Sequence, residues 1–214
     1  AIWIPHRAPI DRSPGHVELE GFWARLAEAQ VPFVLHVGGA PLQVSKSWGN
    51  NGRASVKDWL GGGENVRTKD AAVLHQTPEM FLSVLLLDGV FERHPGLRGA
   101  AVELGAGWVP EMCRRLDWVT RIYGRSDKSV RFERPPSQQL IDQMAFTPFS
   151  HEDVAYLMDD SHPDLYLFSS DYPHLEGTKD PIGRFERFLE HSQPSIRDAF
   201  YSENFLRLWP NARV

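Results

Sequence analysis

The chain has 214 residues, a formal net charge of −5, and 42% hydrophobic and 24% charged residues, which suits one domain with a sizeable core. The basic residues are scattered through this acidic chain, so nucleic-acid binding has little support. The longest apolar run, VLLLDGVF, is too short to cross a membrane, so no membrane partner is expected. A single cysteine, Cys113, excludes an internal disulfide and a cysteine-rich zinc site, and is compatible with the reducing cytoplasm.

Short apolar segments alternate along the chain with segments of helical periodicity. Strands are predicted at 1–5, 31–39, 97–108, 140–149 and 164–174, and helices at 17–30, 78–94, 109–123, 150–160, 180–192 and 194–209. Thr77 and Ser150 are predicted to cap the helices that follow them. The glycine-rich stretch 40–69 is predicted to be a long functional or mobile loop. This order of strands and helices predicts an α/β fold with a parallel sheet.

Polar residues with metal-binding or acid–base chemistry follow several of the predicted strands. They are His6, His36, Glu103, Thr147 and Asp171. Functional groups in parallel α/β folds collect at the carboxyl ends of strands, so these side chains are expected to lie near one another. A strand histidine such as His36 and a carboxylate such as Asp171 are both costly to bury without a partner. A divalent metal would offset this cost by binding both side chains.

Each of these residues also has a plainer interpretation. A strand histidine is often a hydrogen-bonded core residue, and Glu103 could bond to neighbouring backbone instead of acting as an acid or base. His75 and His174 could each reach a substrate or remain solvated. Gly105-Ala106-Gly107 follows a strand but does not complete a dinucleotide-binding fingerprint. This turn is the only sequence feature that supports nucleotide binding.

Several motifs, in this order, resemble the amidohydrolase-2 family of the amidohydrolase superfamily, which includes aminocarboxymuconate-semialdehyde and resorcylate decarboxylases. They are VPFVLHVGG, GVFERHPGLRGAAVELGAGWVPEMCRRLD, FSSDYPHLEG with DPIGRFE, and SENFLRLW. The resemblance covers roughly residues 1–209. It implies a TIM-type (β/α)8 barrel with a divalent metal, zinc or alternatively manganese, at the carboxyl face.

The family pattern implies roles for individual residues. His36 matches the family's fifth-strand metal ligand, and Asp171 matches the eighth-strand ligand that also handles a proton. The candidate catalytic residues are Asp171, Glu103 and His75. The candidate metal ligands are His36 and Asp171. The candidate substrate-binding residues are His6, Trp108 and His174.

Two departures from the family pattern affect these expectations. The first-strand H-x-H motif is absent, and AIWIP matches a middle strand, so residues 1–214 are expected to form a single barrel domain with about strands 4–8 and without the N-terminal strands. Leu104 stands where several family decarboxylases have a histidine, with Glu103 beside it. This substitution argues against the substrates of those particular enzymes.

Two functions of different classes remain open from the sequence. The first is a metal-dependent enzyme that hydrolyses a small substrate or decarboxylates a small, aromatic carboxylic acid, and the resemblance would make it a homo-oligomer. The second is an incomplete, non-catalytic barrel that binds a ligand or partner.

Overall fold

The computed structural model describes residues 1–41, 44–53, 68–174 and 177–212. Four parallel strands form one sheet in the order β1 (Ile2–Trp3), β2 (Phe33–His36), β3 (Gly99–Val102) and β4 (Met144–Phe146). The helices are α1 (Glu20–Glu28), α2 (Lys46–Gly49), α3 (Thr68–Ala71), α4 (Gln76–Leu87), α5 (Val90–Arg93), α6 (Val109–Tyr123), α7 (Pro136–Gln143), α8 (Val154–Asp160), α9 (Pro181–Phe188), α10 (Pro194–Asp198) and α11 (Asn204–Leu208). A π-helical turn, Ala199–Glu203, joins α10 to α11. None of the helices in the described ranges combines the length and apolar character that a membrane crossing requires.

The strands are parallel because helical crossovers return the chain to the same end of the sheet before each new strand. Phe33 pairs with Gly99 and His36 with Val102, and Gly99 in turn pairs with Met144. The carboxyl ends of β2, β3 and β4 therefore lie along one edge of the sheet. The expected α/β fold, a TIM-barrel-like sheet that is partial in this chain, is confirmed.

The predicted strand at 164–174 is much shorter in the structure. Tyr166 makes a single parallel bridge to Phe146, and the Leu167 amide donates to the Phe146 carbonyl at 2.9 Å. The amide of the next residue, Phe168, donates instead to the Phe200 carbonyl at 3.0 Å. The chain thus turns from β4 toward the π-helical turn, but it still extends the parallel order of the sheet by one position.

Two predicted helix caps, Thr77 and Ser150, were misplaced by two and three residues respectively. Helix α4 begins at Gln76, so Thr77 lies inside the first turn and His75 occupies the cap position. Helix α8 is capped by Asp153, whose side chain accepts a hydrogen bond from the Tyr156 amide at 3.0 Å, and Ser150 lies upstream. Several polar residues compete for each cap, and the turn before the helix selects among them.

The predicted loop at 40–69 lies partly outside the described residues. Its described parts contain α2 and the first residues of α3. Residues 54–67, which include the three consecutive glycines, belong to the undescribed part.

The two faces of the sheet pack against different sets of residues. Alternate side chains of a strand point to opposite faces. The larger core contains Phe33 and Phe146, with helices packed over them. The opposite face is covered by a smaller cluster of Ala100, Ala145, Leu167 and Leu208. Helix α11 closes this face near the amino ends of the strands.

Asn204 fixes the start of α11 to the chain before the Tyr166 bridge. Its buried side-chain amide donates to the carbonyls of Pro163 and Tyr166, both at 2.9 Å. Asn204→Ala should lower the free energy of unfolding by about 1–3 kcal/mol, because the buried Tyr166 carbonyl loses its donor while alanine suits the helix. The Pro163 carbonyl keeps a second hydrogen bond, from the Tyr166 amide at 3.3 Å. Urea unfolding measures this loss. The control is Ser202→Ala, at an exposed position of the π-helical turn just before α11, which should change stability by less than about 0.5 kcal/mol. Equal losses in the two variants would contradict the role of Asn204.

Cys113 is a buried core residue of α6, as its helical setting predicts. Burial raises the pKa of its thiol to about 12. At pH 8 the thiolate, which is the reactive form, should be a very small fraction in the folded chain. Iodoacetamide should therefore leave native Cys113 unmodified and label it rapidly in urea, as mass spectrometry would show; rapid labelling of the native chain would contradict this packing.

Candidate functional site

Four polar side chains meet at the carboxyl edge of the sheet. His36 is the last residue of β2, Glu103 directly follows β3, and Asp171 and His174 lie in the segment beyond the Tyr166 bridge. The pairing of His36 with Val102 places Glu103 one residue past the point where the two strands end together. The parallel register thus brings groups from three distant segments into one cluster, here called the carboxyl-edge cluster.

The contacts within this cluster centre on Glu103. His36 Nε2 lies 2.8 Å from Glu103 Oε2, and His174 Nδ1 lies 3.3 Å from Glu103 Oε1. His174 Nδ1 is also 3.6 Å from Asp171 Oδ1. Only 6% of the Glu103 side chain is exposed, against 37% for His36 and 43% for His174. One carboxylate is thus buried under two imidazoles that face the solvent.

Both carboxylates of the cluster stand on unusual backbone. Glu103 has a φ of 59° and Asp171 a φ of 50°, in the left-handed region that side chains larger than glycine rarely adopt. Such a conformation costs about 1–3 kcal/mol at each residue and is concentrated at functional sites. The Glu103 amide is held by a hydrogen bond to the buried Thr147 Oγ1 at 3.0 Å. Tertiary contacts therefore hold these two side chains against local preference.

The charge of Glu103 is set by competition between burial and its neighbours. Burial raises the pKa of its carboxyl, but the hydrogen bonds and positive charge of His36 and His174 together outweigh it, so the pKa of Glu103 lies below its usual value. Glu103 is consequently ionised at neutral pH. A buried anion that already attracts two imidazoles is suited to attract a cation.

The donor set fits a divalent metal ion. Glu103, Asp171 and His174 each offer one ligand atom, and these atoms lie within 4.8 Å of one another. The His36 ring is oriented by Nδ1, which donates to the Val37 carbonyl at 3.0 Å and leaves Nε2 to face the cluster. Two carboxylates with one or two imidazoles form a ligand set used by both zinc and manganese.

His6 lies behind the cluster instead of within it. Its Nε2 donates to the His36 carbonyl at 3.0 Å, and His6 is only 2% exposed. Burial lowers the pKa of His6, so its ring is neutral and Nδ1 carries a lone pair. A Cβ on Gly39 would approach the His6 ring to 2.5 Å, so the turn after β2 must carry glycine there.

His75 and Trp108 belong to a neighbouring cavity of about 380 Å³. Its wall also contains Leu104 and Phe149, from the loops that follow β3 and β4. Trp108 is fixed there because its indole N–H donates to the carbonyls of Leu104 at 3.2 Å and Gly105 at 2.9 Å. The structure therefore places these two predicted residues beside, and not inside, the carboxyl-edge cluster.

Glu152 is a half-buried anchor that the sequence did not reveal. Its carboxylate accepts hydrogen bonds from the backbone amides of Ala106, Gly107 at 2.7 Å and Phe149 at 2.6 Å. It thereby ties the loop after β3 to the loop after β4, at the amino end of α6 where an anion is favoured. Acidic residues are common before helices, and only the tertiary structure shows that this one reaches across to another helix.

The family relationship of the chain follows from comparison with known proteins. The family model described as Amidohydrolase matches residues 5–210. The chain belongs to the amidohydrolase family, and the resemblance seen in its motifs is confirmed. No curated protein matches the chain.

Solved structures share the fold over almost the whole chain. An amidohydrolase from Mycobacterium avium subsp. paratuberculosis K-10 is 26% identical with a TM-score of 0.74, covering 94% of this chain and 49% of its own. A manganese-bound dihydroxybenzoic acid decarboxylase from Polaromonas sp. JS666 has 17% identity and a TM-score of 0.64, covering 97% of this chain and 58% of its own.

A manganese complex of 5-carboxyvanillate decarboxylase from Novosphingobium aromaticivorans DSM 12444 is a further example. It has 14% identity and a TM-score of 0.66, covering 93% of this chain and 53% of its own. The chain thus spans about half the length of the structures it resembles. At these identities the likeness to the two decarboxylases shows a shared fold, and a shared reaction can only be proposed.

Thr147→Val tests the backbone support of Glu103. Valine keeps the size of threonine but leaves the Glu103 amide without its acceptor in a buried position, so the free energy of unfolding should fall by about 1–3 kcal/mol. Urea unfolding measures this loss. Thr120→Val, at a partly exposed site on α6 where the hydroxyl bonds the Leu116 carbonyl, is the matched control and should cost less. A stable Thr147→Val variant would show that Glu103 needs no such support.

Proposed function

We propose that the chain contributes the carboxyl-edge cluster of a metal-dependent amidohydrolase-family enzyme that decarboxylates a small aromatic carboxylic acid. The observation that carries the proposal is the convergence of Glu103, Asp171 and His174 within ligand distance of one another, with His36 bonded to Glu103. The decarboxylases among the structural neighbours support the choice of reaction, and manganese in two of them supports the choice of a divalent cation.

The cluster would hold the metal through Glu103, Asp171 and His174. His36 would either join them as a ligand or hold Glu103 in place through its 2.8 Å contact. When bound, the metal would supply positive charge that orients the substrate carboxylate and an adjacent oxygen. Both zinc and manganese fit this ligand set, since carboxylates favour manganese and imidazoles favour zinc.

Asp171 is the proposed proton carrier. In decarboxylation the C–C bond to the carboxylate breaks, its electron pair remains on the ring carbon, and carbon dioxide leaves. That carbon must then receive a proton. Asp171, whose side chain is 19% exposed at the cluster, would take this proton from solvent water and pass it to the carbon. His6 would orient His36 by donating a hydrogen bond to the His36 backbone carbonyl. The cavity lined by His75 and Trp108 would receive the aromatic part of the substrate.

Hydrolysis is the alternative reaction at the same cluster. Asp171 would then take a proton from an attacking water, and the bond broken would be that of a small amide, ester or lactone. A non-catalytic binding module would use the cluster only to hold a ligand. The proposed homo-oligomer, the zinc ion and a cytoplasmic location also remain proposals.

The decisive experiment measures metal binding and activity in parallel. The purified chain is stripped with a chelator, reloaded with manganese or zinc, and analysed for bound metal by elemental analysis. Near-stoichiometric metal is expected, with affinity at least about tenfold lower in Asp171→Asn, because a ligand oxygen is replaced by a weaker neutral donor. Asp159→Asn on the exposed side of α8 is the control and should bind like the wild type.

Activity on two substrate panels then separates the alternatives. Release of carbon dioxide from hydroxybenzoic acids, abolished in Asp171→Asn, supports decarboxylation. Hydrolysis of amides, esters or lactones with the same dependence would replace it by the alternative reaction. Bound metal without either activity favours the binding module, and absence of metal from every variant would overturn the proposal.

A further inference from the structure

The opposite edge of the sheet contains a second polar site. A cavity of about 260 Å³ lies beside the amino ends of the strands and is lined by Arg98, Arg207 and Gln30, with Leu208 and Pro210. Arg98 directly precedes β3, and its carbonyl accepts the Phe33 amide at 3.0 Å where β2 begins. The five residues from Arg98 to Glu103 span roughly 16 Å, so this cavity is separate from the carboxyl-edge cluster.

Both arginines of this cavity are held by backbone carbonyls. Arg98 Nη1 donates to the carbonyls of Pro95 at 2.7 Å and Leu97 at 3.0 Å. Arg207 donates to the carbonyls of Asp142 at 3.0 Å and Asp164 at 2.7 Å. Neither guanidinium makes an ion pair within the ranges that the structure describes, and there the buried Nε of Arg207 has no hydrogen-bond partner. These bonds position the two side chains without neutralising them.

The charge near the cavity is only partly compensated. Asp142 acts on both arginines, and Asp164 acts on Arg207 more strongly than Asp142 does. The Asp142 oxygens, however, bond Arg134 at 2.7 Å and the Gln138 amide at 2.8 Å, and the Asp164 carboxylate is 42% exposed to solvent. Both arginines are half-buried, and this burial lowers the pKa of Arg98 and of Arg207 because each positive charge is partly removed from water. Holding cations there is costly unless an anion joins them.

We propose that this cavity binds a small oxyanion, a phosphate or a carboxylate, between Arg98 and Arg207. No acidic side chain lines it, and all of its polar lining side chains can donate hydrogen bonds: the two guanidiniums, which only donate, and the NH2 group of Gln30. Guanidinium groups match such oxyanions with paired, charge-assisted hydrogen bonds. Its volume lies below that of typical pockets for larger organic ligands, which favours a small ion. Because Arg207 also bonds the Met144 carbonyl at 3.4 Å, a bound anion would brace the start of β4.

Calorimetric titration of the full chain with inorganic phosphate, and separately with acetate, tests the site. The protein is first stripped with a chelator so that no metal at the carboxyl-edge cluster can take the anion. Arg98→Gln should weaken binding at least about tenfold, because a charge-assisted contact is lost. Arg25→Gln, which removes an exposed arginine of α1 paired with Glu28, should bind like the wild type.

The comparison of probes and variants decides the outcome. Binding of phosphate alone, or of acetate alone, with the expected loss in Arg98→Gln would support the site and identify its ion. Gln30→Ala leaves both charges and the sheet contacts in place, so it should weaken binding less than Arg98→Gln does. This second variant still tests the site if Arg98→Gln fails to fold. Binding of neither anion, or equal binding by wild type and a folded Arg98→Gln, would overturn the proposal.

Discussion

The register between β2 and β3 is the constraint on which the rest of the site depends. The pairing of His36 with Val102 places the next residue, Glu103, against the His36 ring at 2.8 Å. A shift of one residue would turn every side chain of the strand to the other face and separate the two groups. The buried side chains Phe33 and Leu35 prevent that shift, since both are fully enclosed in the larger core.

The residues of the carboxyl-edge cluster are held together at the expense of local stability. Glu103 and Asp171 both occupy left-handed backbone, and the Glu103 carboxylate is buried. Two imidazoles and a threonine hydroxyl compensate part of that cost. In a fold that otherwise follows ordinary propensity, such local conflicts are expected at functional residues.

The two edges of the sheet have opposite electrostatic character. The carboxyl edge collects Glu103 and Asp171, whereas the amino edge carries Arg98 and Arg207. Glu103 and Arg98 flank the two ends of β3, while Asp171 lies beyond the Tyr166 bridge and Arg207 lies on α11, so one sheet separates the acidic side chains from the basic ones. Two polar anchors, Glu152 and Asn204, add rigidity, because the side chain of each ties separate loops or helices together through hydrogen bonds to backbone groups.

The sequence by itself determined the class of fold, the family, the position of α6 and the strand-end residues His36, Glu103 and Asp171. Periodicity and turn residues are local signals, and they suffice for these features. Only the tertiary structure decided that Glu103 stands at the centre of the cluster, that His174 joins it and that His75 lies apart. These placements depend on strand register and on left-handed backbone stabilised by distant partners, which no local sequence pattern encodes.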